Sequence, residues 1–197
     1  MGLMVYSGPL LYKGKLKDED IKKLLSYCKK DKSKEANSKL AGLIDDEYDI
    51  DKYKFCEVFN NYVQDFNACY QAWYNVIPPK LNVSEVWVNF MRAGECNPPH
   101  KHDSDFSSVF YLKIPKGLKE EVKQNKSNSS EPGGIMFHFH NPIDNFICAH
   151  NLVPSVGDFF LFPSTLIHSV NTFKSSGERI SVAANFMFDI KKNKNLL

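Results

Sequence analysis

The sequence predicts an α+β domain that is mainly β, in which two helices pack on the outside of an antiparallel double sheet. From residue 81 onward, short apolar segments are separated by turn residues, a pattern typical of a β-sandwich or barrel. Helical periodicity is confined to residues 1–80. A chain of 197 residues can bury one sizeable core. Because the helices have no second core to pack against, we expect one domain over residues 1–197.

Two helices are predicted in the first part of the chain. Asp18 is expected to cap a helix over about 19–30, and the polar stretch 31–50 is expected to be loop. A longer helix is predicted over about 51–75. Its apolar side chains recur at steps of three and four residues and predict one buried face: Phe55, Phe59, Tyr62, Phe66, Cys69 and Trp73.

The strands are predicted from period-two alternation and from apolar runs bounded by turn residues. One or two short strands are expected within 3–16, and the others at about 83–90, 109–115, 134–140, 146–152, 158–162, 166–172 and 179–188. The stretch 119–134 is rich in Lys, Glu, Asn and Ser and is predicted to be a polar loop.

Composition argues against several classes of partner. The net charge of +2 is too small to indicate nucleic-acid binding or attraction to an anionic membrane. No apolar run approaches the roughly 20 residues of a membrane span. Five cysteines without a CxxC pair fit reduced thiols better than a disulfide framework. We therefore expect a cytoplasmic protein, in the host cytoplasm if it is viral, with no nucleic-acid or membrane partner.

All six histidines follow residue 99. His100 and His102, in NPPHKHDSDFSS, point to the same face of an extended chain, so both imidazoles can converge on one ion. His168 is a further single candidate in FPSTLIHSV. His138 and His140 form a second pair, for which the solvated face of a strand is the favoured interpretation.

A facial site of three side chains leaves half of an octahedron open and suits non-haem Fe(II), usually with two histidines and one carboxylate. Here His102 occupies the place where a carboxylate is expected. The set His100, His102 and His168 is favoured. Replacement of His102 by Asp103 or Asp105 after a bulge stays open, although Asp103 points away from His102 on an extended chain.

Arg179 lies in ERISVAANF, a run otherwise built for a core. Arginine is rarely buried unpaired, and its planar guanidinium suits bidentate capture of a carboxylate. Ser181 lies on the same face and can add a hydroxyl donor. The alternative is structural, an ion pair of Arg179 with Glu178 or with an aspartate at the rim of the barrel.

The second half resembles the Fe(II)/2-oxoglutarate-dependent oxygenases, specifically the prolyl-4-hydroxylase-like group and its often phage-encoded, uncharacterised members. The likeness covers about residues 83–188 and rests on the order of four segments: VWVNFMRAGECNPPHKH, SSVFYLKIP, GDFFLFPSTLIHSV and RISVAAN. The upstream segment SKLAGLIDDEY adds to it.

The resemblance implies a double-stranded β-helix, which is a distorted jelly roll, over residues 81–190. Residues 1–80 would brace it with a strand and helices, and 191–197 would form a basic tail. It also implies Fe(II), 2-oxoglutarate and O2, with ascorbate as an optional reductant. The implied reaction couples decarboxylation of 2-oxoglutarate to succinate with hydroxylation of a C–H bond. The primary substrate would be a peptide, prolyl residues included, or a small molecule.

The resemblance further implies roles for single residues. The iron ligands would be His100, His102 and His168, with His102 where the family usually has Asp. Arg179 and Ser181 would hold the distal carboxylate of 2-oxoglutarate, and Tyr111 would donate a hydrogen bond to it. Two alternatives remain, a three-His iron dioxygenase that does not use 2-oxoglutarate and a non-catalytic jelly-roll protein of an assembly or virion.

Overall fold

The structure is a computed structural model that describes residues 8–128, 130–141 and 146–189. Its strands are β1 (Tyr12–Lys15), β2 (Glu47–Asp49), β3 (Leu81–Met91), β4 (Asn97–His100), β5 (Phe106–Lys113), β6 (Ile135–Asn141), β7 (Phe146–Leu152), β8 (Asp158–Pro163), β9 (Ile167–Val170) and β10 (Arg179–Phe188). Its α-helices are α1 (Asp18–Tyr27), α2 (Lys52–Phe59), α3 (Val63–Tyr74) and α4 (Leu118–Gln124). The predicted basic tail 191–197 and residues 3–7 of the first predicted strand lie outside the described residues.

The strands form two antiparallel sheets. The first sheet has the order β1-β8-β5-β10-β3-β2, and the second has the order β4-β9-β6-β7. β10 lies in the middle of the first sheet, between β5 and β3. The predicted antiparallel double sheet is therefore confirmed. The strand that carries Arg179 is a central strand of its sheet and not an edge strand.

The outer face of the first sheet packs against α1, α2 and α3. Val86, Val88 and Phe90 of β3 belong to this core, together with apolar side chains of all three helices, such as Phe55 of α2 and Phe66 of α3. Because side chains alternate along a strand, the intervening residues of β3 face the second sheet. The helices thus cover one face of the sheet and leave the other for the site.

The space between the two sheets holds a second core. Its apolar members include Met91, Phe160 and Phe162 from the first sheet and Ile135 and Phe137 from the second. Polar side chains are buried at the same level of the inner face: Asn89, Ser181 and Arg179. Polar groups without a structural partner in such a place are candidates for function.

The predicted helix over 51–75 is wrong as one continuous element. α2 ends at Phe59 and α3 begins at Val63, with Asn60, Asn61 and Tyr62 between them. Asparagine has low helix propensity. After the break, α3 buries Phe66 and packs Tyr70 against the core, whereas the last two members of the predicted stripe, Cys69 and Trp73, are exposed.

Other element predictions need smaller corrections. α1 begins at Asp18 rather than after it, and Lys17 is the cap residue, so Asp18 acts through its charge in the first helical turn. The stretch 119–134 contains α4, whose Leu118 is buried against the second core. The stretch 31–50 contains β2, and β4 forms at Asn97–His100, between the strands predicted at about 83–90 and 109–115.

None of the helices in the described residues is long and apolar enough to cross a membrane. That residues 1–197 form a single domain stays a prediction.

The packing of Gly14 on β1 leads to a stability prediction. A Cβ at this position would lie 2.2 Å from the Phe159 ring. That ring is stacked on Phe110 with 4.8 Å between centroids, so it has no space to move away. We expect Gly14→Ala to lower the free energy of unfolding by about 1–3 kcal/mol, the usual cost of overpacking a core. Urea denaturation followed by fluorescence would measure it.

Lys13→Ala, on the same strand, is the matched control. Lys13 is more than half exposed and pairs with Asp158 at 3.2 Å. Its loss should change the stability by at most ~1 kcal/mol. Equal stability of Gly14→Ala and the parent protein would show that the β1–β8 contact is looser than described.

Candidate metal centre

Three histidines come together between the two sheets. His100 is on β4, His168 is directly opposite it on β9, and His102 lies in the loop after β4. The ring centroids of His100 and His168 are 4.2 Å apart, and that of His102 lies 5.0 and 5.2 Å from them. One ligand nitrogen from each ring lies within 4.8 Å of the others. A slight contraction would bring all three to the ~2 Å bond length of a shared ion.

Backbone carbonyl groups fix the tautomers of two of these rings. Nδ1 of His100 donates to the carbonyl of Pro98 at 2.7 Å, and Nδ1 of His168 donates to the carbonyl of Leu166 at 2.9 Å. Each Nε2 therefore carries a free lone pair, and the ring is held in one orientation, as in many metal-bound histidines.

The three imidazoles are neutral at physiological pH. Burial lowers the pKa of His100 below its usual value. Burial, reinforced by the neighbouring His100, lowers the pKa of His102 to about 4 and that of His168 to about 3. Neutral imidazole is the form that binds a metal ion.

The loop that carries His102 is held by Ser164, at the turn between β8 and β9. The backbone N–H of His102 donates to the carbonyl of Ser164 at 2.9 Å, and the N–H of Ser164 donates to the carbonyl of Asp105 at 3.1 Å. The buried hydroxyl of Ser164 lies 2.6 Å from that of Ser104 and 2.8 Å from that of Ser107. The loop is thus joined to a neighbouring turn by backbone and side-chain bonds.

The two aspartates of this loop are not part of the cluster. Asp105 accepts a hydrogen bond from the backbone N–H of Phe188 at 2.7 Å, so its carboxylate is engaged at the end of β10. Asp103 is exposed. Within the described residues, the group of side chains close enough to share an ion holds the three histidines and no carboxylate. The geometry therefore favours His102 over either aspartate as the third ligand.

One cavity of about 40 Å³ joins the histidines to Arg179, Ser181 and Tyr111. Arg179 is 2% exposed, and its Nη1 donates to the carbonyl of Gly133 at 3.0 Å. Its Nε–H is buried without a partner, and so is the hydroxyl of Tyr111. The guanidinium carbon lies 5.5 Å from the centre of the Tyr111 ring.

Arg179 is not paired with a carboxylate of the described residues. Glu178, the partner considered from the sequence, instead forms an ion pair with Lys30 at 2.6 Å and lies 3.6 Å from Arg92. Burial raises the pKa of Tyr111 to about 12, so its hydroxyl is a hydrogen-bond donor. Burial lowers the pKa of Arg179, yet a guanidinium stays protonated in proteins. A buried cation and a buried donor without partners suit a carboxylate ligand.

The second histidine pair does not join the site. Phe137 of β6 faces inward, with its ring 6.3 Å from that of His168. Its neighbour His138 therefore faces the other way, is partly exposed, and lies 3.2 Å from the hydroxyl of Ser169. The side chain of His140 lies outside the described residues.

Sequence reasoning missed two asparagines in the wall of the cavity, Asn89 and Asn97. Alternation within VWVNFM would have placed Asn89 beside Trp87, on the face opposite to Val86 and Val88. Asn97 precedes two prolines, and no pattern in the sequence marks it as inward-facing.

With this geometry described, the chain can be compared with known proteins. Residues 85–185, just over half of the chain, match the family described as "Putative 2OG-Fe(II) oxygenase". The chain belongs to this family. No functionally curated protein matches the sequence.

Solved structures show the same fold at low identity. A prolyl-4-hydroxylase from Pseudomonas putida superposes with a TM-score of 0.60 at 16% identity, covering 90% of this chain and 92% of the other. The viral collagen prolyl hydroxylase of Paramecium Bursaria Chlorella virus-1 gives a TM-score of 0.53 at 16% identity, covering 89% and 94%. The carbocyclase SnoK from nogalamycin biosynthesis gives 0.59 at 8% identity, covering 90% and 79%.

These comparisons confirm the predicted distorted jelly roll braced by N-terminal helices and the predicted 2-oxoglutarate/Fe(II) oxygenase family. The narrower likeness to prolyl-4-hydroxylases is one of fold. Membership of the oxygenase family implies Fe(II), with 2-oxoglutarate and O2 as co-substrates. The three-histidine cluster and the unpaired Arg179 are features of this chain that fit both groups. The likeness to phage-encoded members stays a prediction.

The anchoring of the His102 loop leads to a second prediction. Ser164→Ala removes both side-chain bonds of the turn, and the loop should then hold His102 less firmly. We expect the affinity for Co²⁺, a spectroscopic substitute for Fe(II), to fall roughly tenfold, as is usual when an outer partner of a metal ligand is lost. Titration of the visible Co²⁺ bands would measure it.

Ser108→Ala is the control for that experiment. Ser108 is equally buried, but its hydroxyl donates to the carbonyl of Ala184 on β10, away from the loop. The Ser108→Ala variant should bind Co²⁺ with the same affinity as the parent protein. If Ser164→Ala also binds Co²⁺ normally, the backbone bonds alone position His102.

Proposed function

We propose that this oxygenase is a hydroxylase in which His100, His102 and His168 bind Fe(II). Arg179, with Ser181 and Tyr111, holds the distal carboxylate of 2-oxoglutarate. One observation carries the proposal: a metal-ligand cluster and an unpaired buried cation lie in a single cavity between the sheets. A chelating dicarboxylate could bind the metal ion with one end and Arg179 with the other.

The donors in the cavity match the groups of such a ligand. The free Nε–H of Arg179 and the hydroxyl of Tyr111 can both donate to a carboxylate, and charge-assisted bonds of this kind are stronger than neutral ones. Three neutral imidazoles leave a divalent metal centre with its full charge of +2. A carboxylate ligand would lower the net charge of the centre to +1. The site therefore favours an anionic chelator.

Iron and 2-oxoglutarate, when bound, supply the oxidising chemistry that couples decarboxylation to succinate with hydroxylation of a C–H bond. The contribution of the chain is to bind and orient them. Phe137 and Phe162 pack around the ring of His168, with centroids 6.3 and 4.7 Å away, and exclude water from that side. The Trp87 ring lies 5.7 Å from that of His102 and forms another wall.

For the primary substrate we propose a peptidyl proline, with ascorbate as a reductant that restores Fe(II). Two structures of the same fold are described as prolyl hydroxylases, which supports this choice. The fold itself is shared with an epimerase, SnoN, and with the carbocyclase SnoK, so the fold alone does not determine the substrate.

An anaerobic titration with Fe(II) and then 2-oxoglutarate, followed by visible absorption, tests the cofactor site. We expect a weak charge-transfer band that requires both additions. Arg179→Ala should lose the band at 2-oxoglutarate concentrations that saturate the parent protein, because the distal carboxylate loses its cation. Arg92→Ala, which removes an exposed arginine paired with Asp46, is the matched control and should behave like the parent.

Two other outcomes would redirect the assignment. If iron binds but 2-oxoglutarate leaves the spectrum unchanged, the protein is better described as a three-His dioxygenase that does not use 2-oxoglutarate. The absence of a carboxylate among the three candidate ligands also favours this alternative. Absence of iron binding, with no effect of His168→Ala on metal content, would identify a non-catalytic jelly-roll protein.

The substrate proposal has its own test. The iron-loaded protein, supplied with 2-oxoglutarate, O2 and ascorbate, should add one oxygen atom to a proline-rich peptide. It should release succinate in equal amount. Mass spectrometry would locate the oxygen, and the same peptide with alanine in place of proline is the control. Equal succinate release with both peptides would rule out proline as the substrate.

A further inference from the structure

A buried acid lies behind the wall of this cavity. Glu47 of β2 is 0% exposed, and both of its carboxylate oxygens are without a hydrogen-bond partner. Gly42 covers it so closely that a Cβ there would lie 2.6 Å from Oε1. Burying an unpaired, ionised carboxylate is energetically unfavourable, so such a group is usually protonated or serves a function.

Glu47 is directly opposite Asn89 of β3 in the sheet register. Their neighbours Tyr48 and Val88 both belong to the core under the helices, so Glu47 and Asn89 share the inner face. Side chains opposed in this way have Cβ atoms about 5 Å apart. Asn89 also lines the cavity, so it lies between Glu47 and any bound ligand.

Glu47 and Asn89 both have buried acceptor oxygens to which no group of the described residues donates a hydrogen bond. Oδ1 of Asn89 is buried without a partner, as are both oxygens of Glu47. A proton on Glu47 would give the pair one donor and would satisfy Oδ1. The amide N–H groups of Asn89 would then be directed away from Glu47, toward the cavity.

The charges around Glu47 favour that proton. The negative charge of Glu95 repels a charge on Glu47. The Glu95 carboxylate accepts hydrogen bonds from the backbone N–H groups of Arg92 and Asp45. No lysine, arginine or histidine of the described residues forms an ion pair with Glu47. Burial first, and Glu95 second, raise the pKa of Glu47 to about 7.

We propose that Glu47 is a positioning residue: as a neutral carboxylic acid it donates to Oδ1 of Asn89 and so fixes the Asn89 amide as a hydrogen-bond donor to the ligand in the cavity. Loss of the proton reverses the arrangement, because ionised Glu47 needs a donor and the amide turns its N–H groups toward it. An acceptor oxygen then faces the ligand. The identity of the ligand, 2-oxoglutarate, rests on the proposed function.

The first test needs no ligand. Carbon-detected NMR of the labelled, metal-free protein would follow the Glu47 carboxyl carbon and the Asn89 side-chain amide through a pH titration. Both should change together with a midpoint near pH 7. A Glu47 titration at the ordinary value of about 4.3, or an Asn89 amide that does not respond, would overturn the proposal.

The second test measures binding of 2-oxoglutarate to the Fe(II)-loaded protein under anaerobic conditions at about pH 6 and about pH 8, on either side of the Glu47 pKa. The parent protein should bind it roughly three- to tenfold more weakly at the higher pH, the effect of one neutral hydrogen bond. Glu47→Gln keeps an N–H donor to Asn89 at every pH and should remove this Glu47-dependent difference. Because Glu47→Gln has the same histidines, the comparison isolates Glu47.

Two further variants complete the experiment. Glu47→Leu, checked for folding by circular dichroism, has no donor and should bind weakly at both pH values. Glu57→Gln, at an exposed acid on α2, should match the parent. An identical pH dependence in the parent and Glu47→Gln would overturn the proposal. If the parent binds no 2-oxoglutarate at any pH, the proposed function fails, and the NMR titration alone decides the role of Glu47.

Discussion

The burial of the Arg179 guanidinium is the constraint on which the rest of the site depends. A cation that is 2% exposed, with one hydrogen bond to the Gly133 carbonyl and no carboxylate partner among the described residues, is costly to the folded protein. The Tyr111 ring beside it recovers part of that cost. The remainder is offset by the aromatic core between the first sheet and the helices. That core supplies stability without occupying the inner face.

At the other end of the cavity, the three histidine rings must be held in fixed orientations. Two imidazoles are held by carbonyl groups two residues earlier in the chain, so the strands that carry His100 and His168 also fix their tautomers. His102 has no such local bond in the loop. Its position depends on the turn at Ser164, which comes from a different part of the chain. His102 is therefore the candidate ligand whose position is most sensitive to changes elsewhere.

A row of inward polar side chains crosses the first sheet between these two ends. Glu47, Asn89, Ser181 and Tyr111 occupy successive strands in register. Each is buried, and three of them carry an oxygen without a partner. Such a row in a protein interior is stable when a ligand or a shared proton completes its hydrogen bonds. This is the physical link between the proposed cofactor site and the proposed role of Glu47.

The sequence alone determined the order of most elements and the class of the fold, and it located candidate site residues that the structure brings together. His100, His102, His168 and Arg179 lie within segments whose alternation already predicts a strand and a face, because side-chain direction along a strand is a local property. The break between α2 and α3, the helix at α4 and the strand β4 were missed, since short polar segments form such elements through contacts made elsewhere.

Only the tertiary structure decided which of the candidate ligands meet. The loop after β4 could have presented His102 or Asp105, and the choice followed from bonds to Ser164 and to the end of β10. The proposed roles of Asn89 and Glu47 could not be predicted from the sequence either, because each depends on a neighbouring strand distant in sequence. Local patterns fix the direction of a side chain within its strand. The pairing of strands fixes its neighbours, and the chemistry of the site depends on those neighbours.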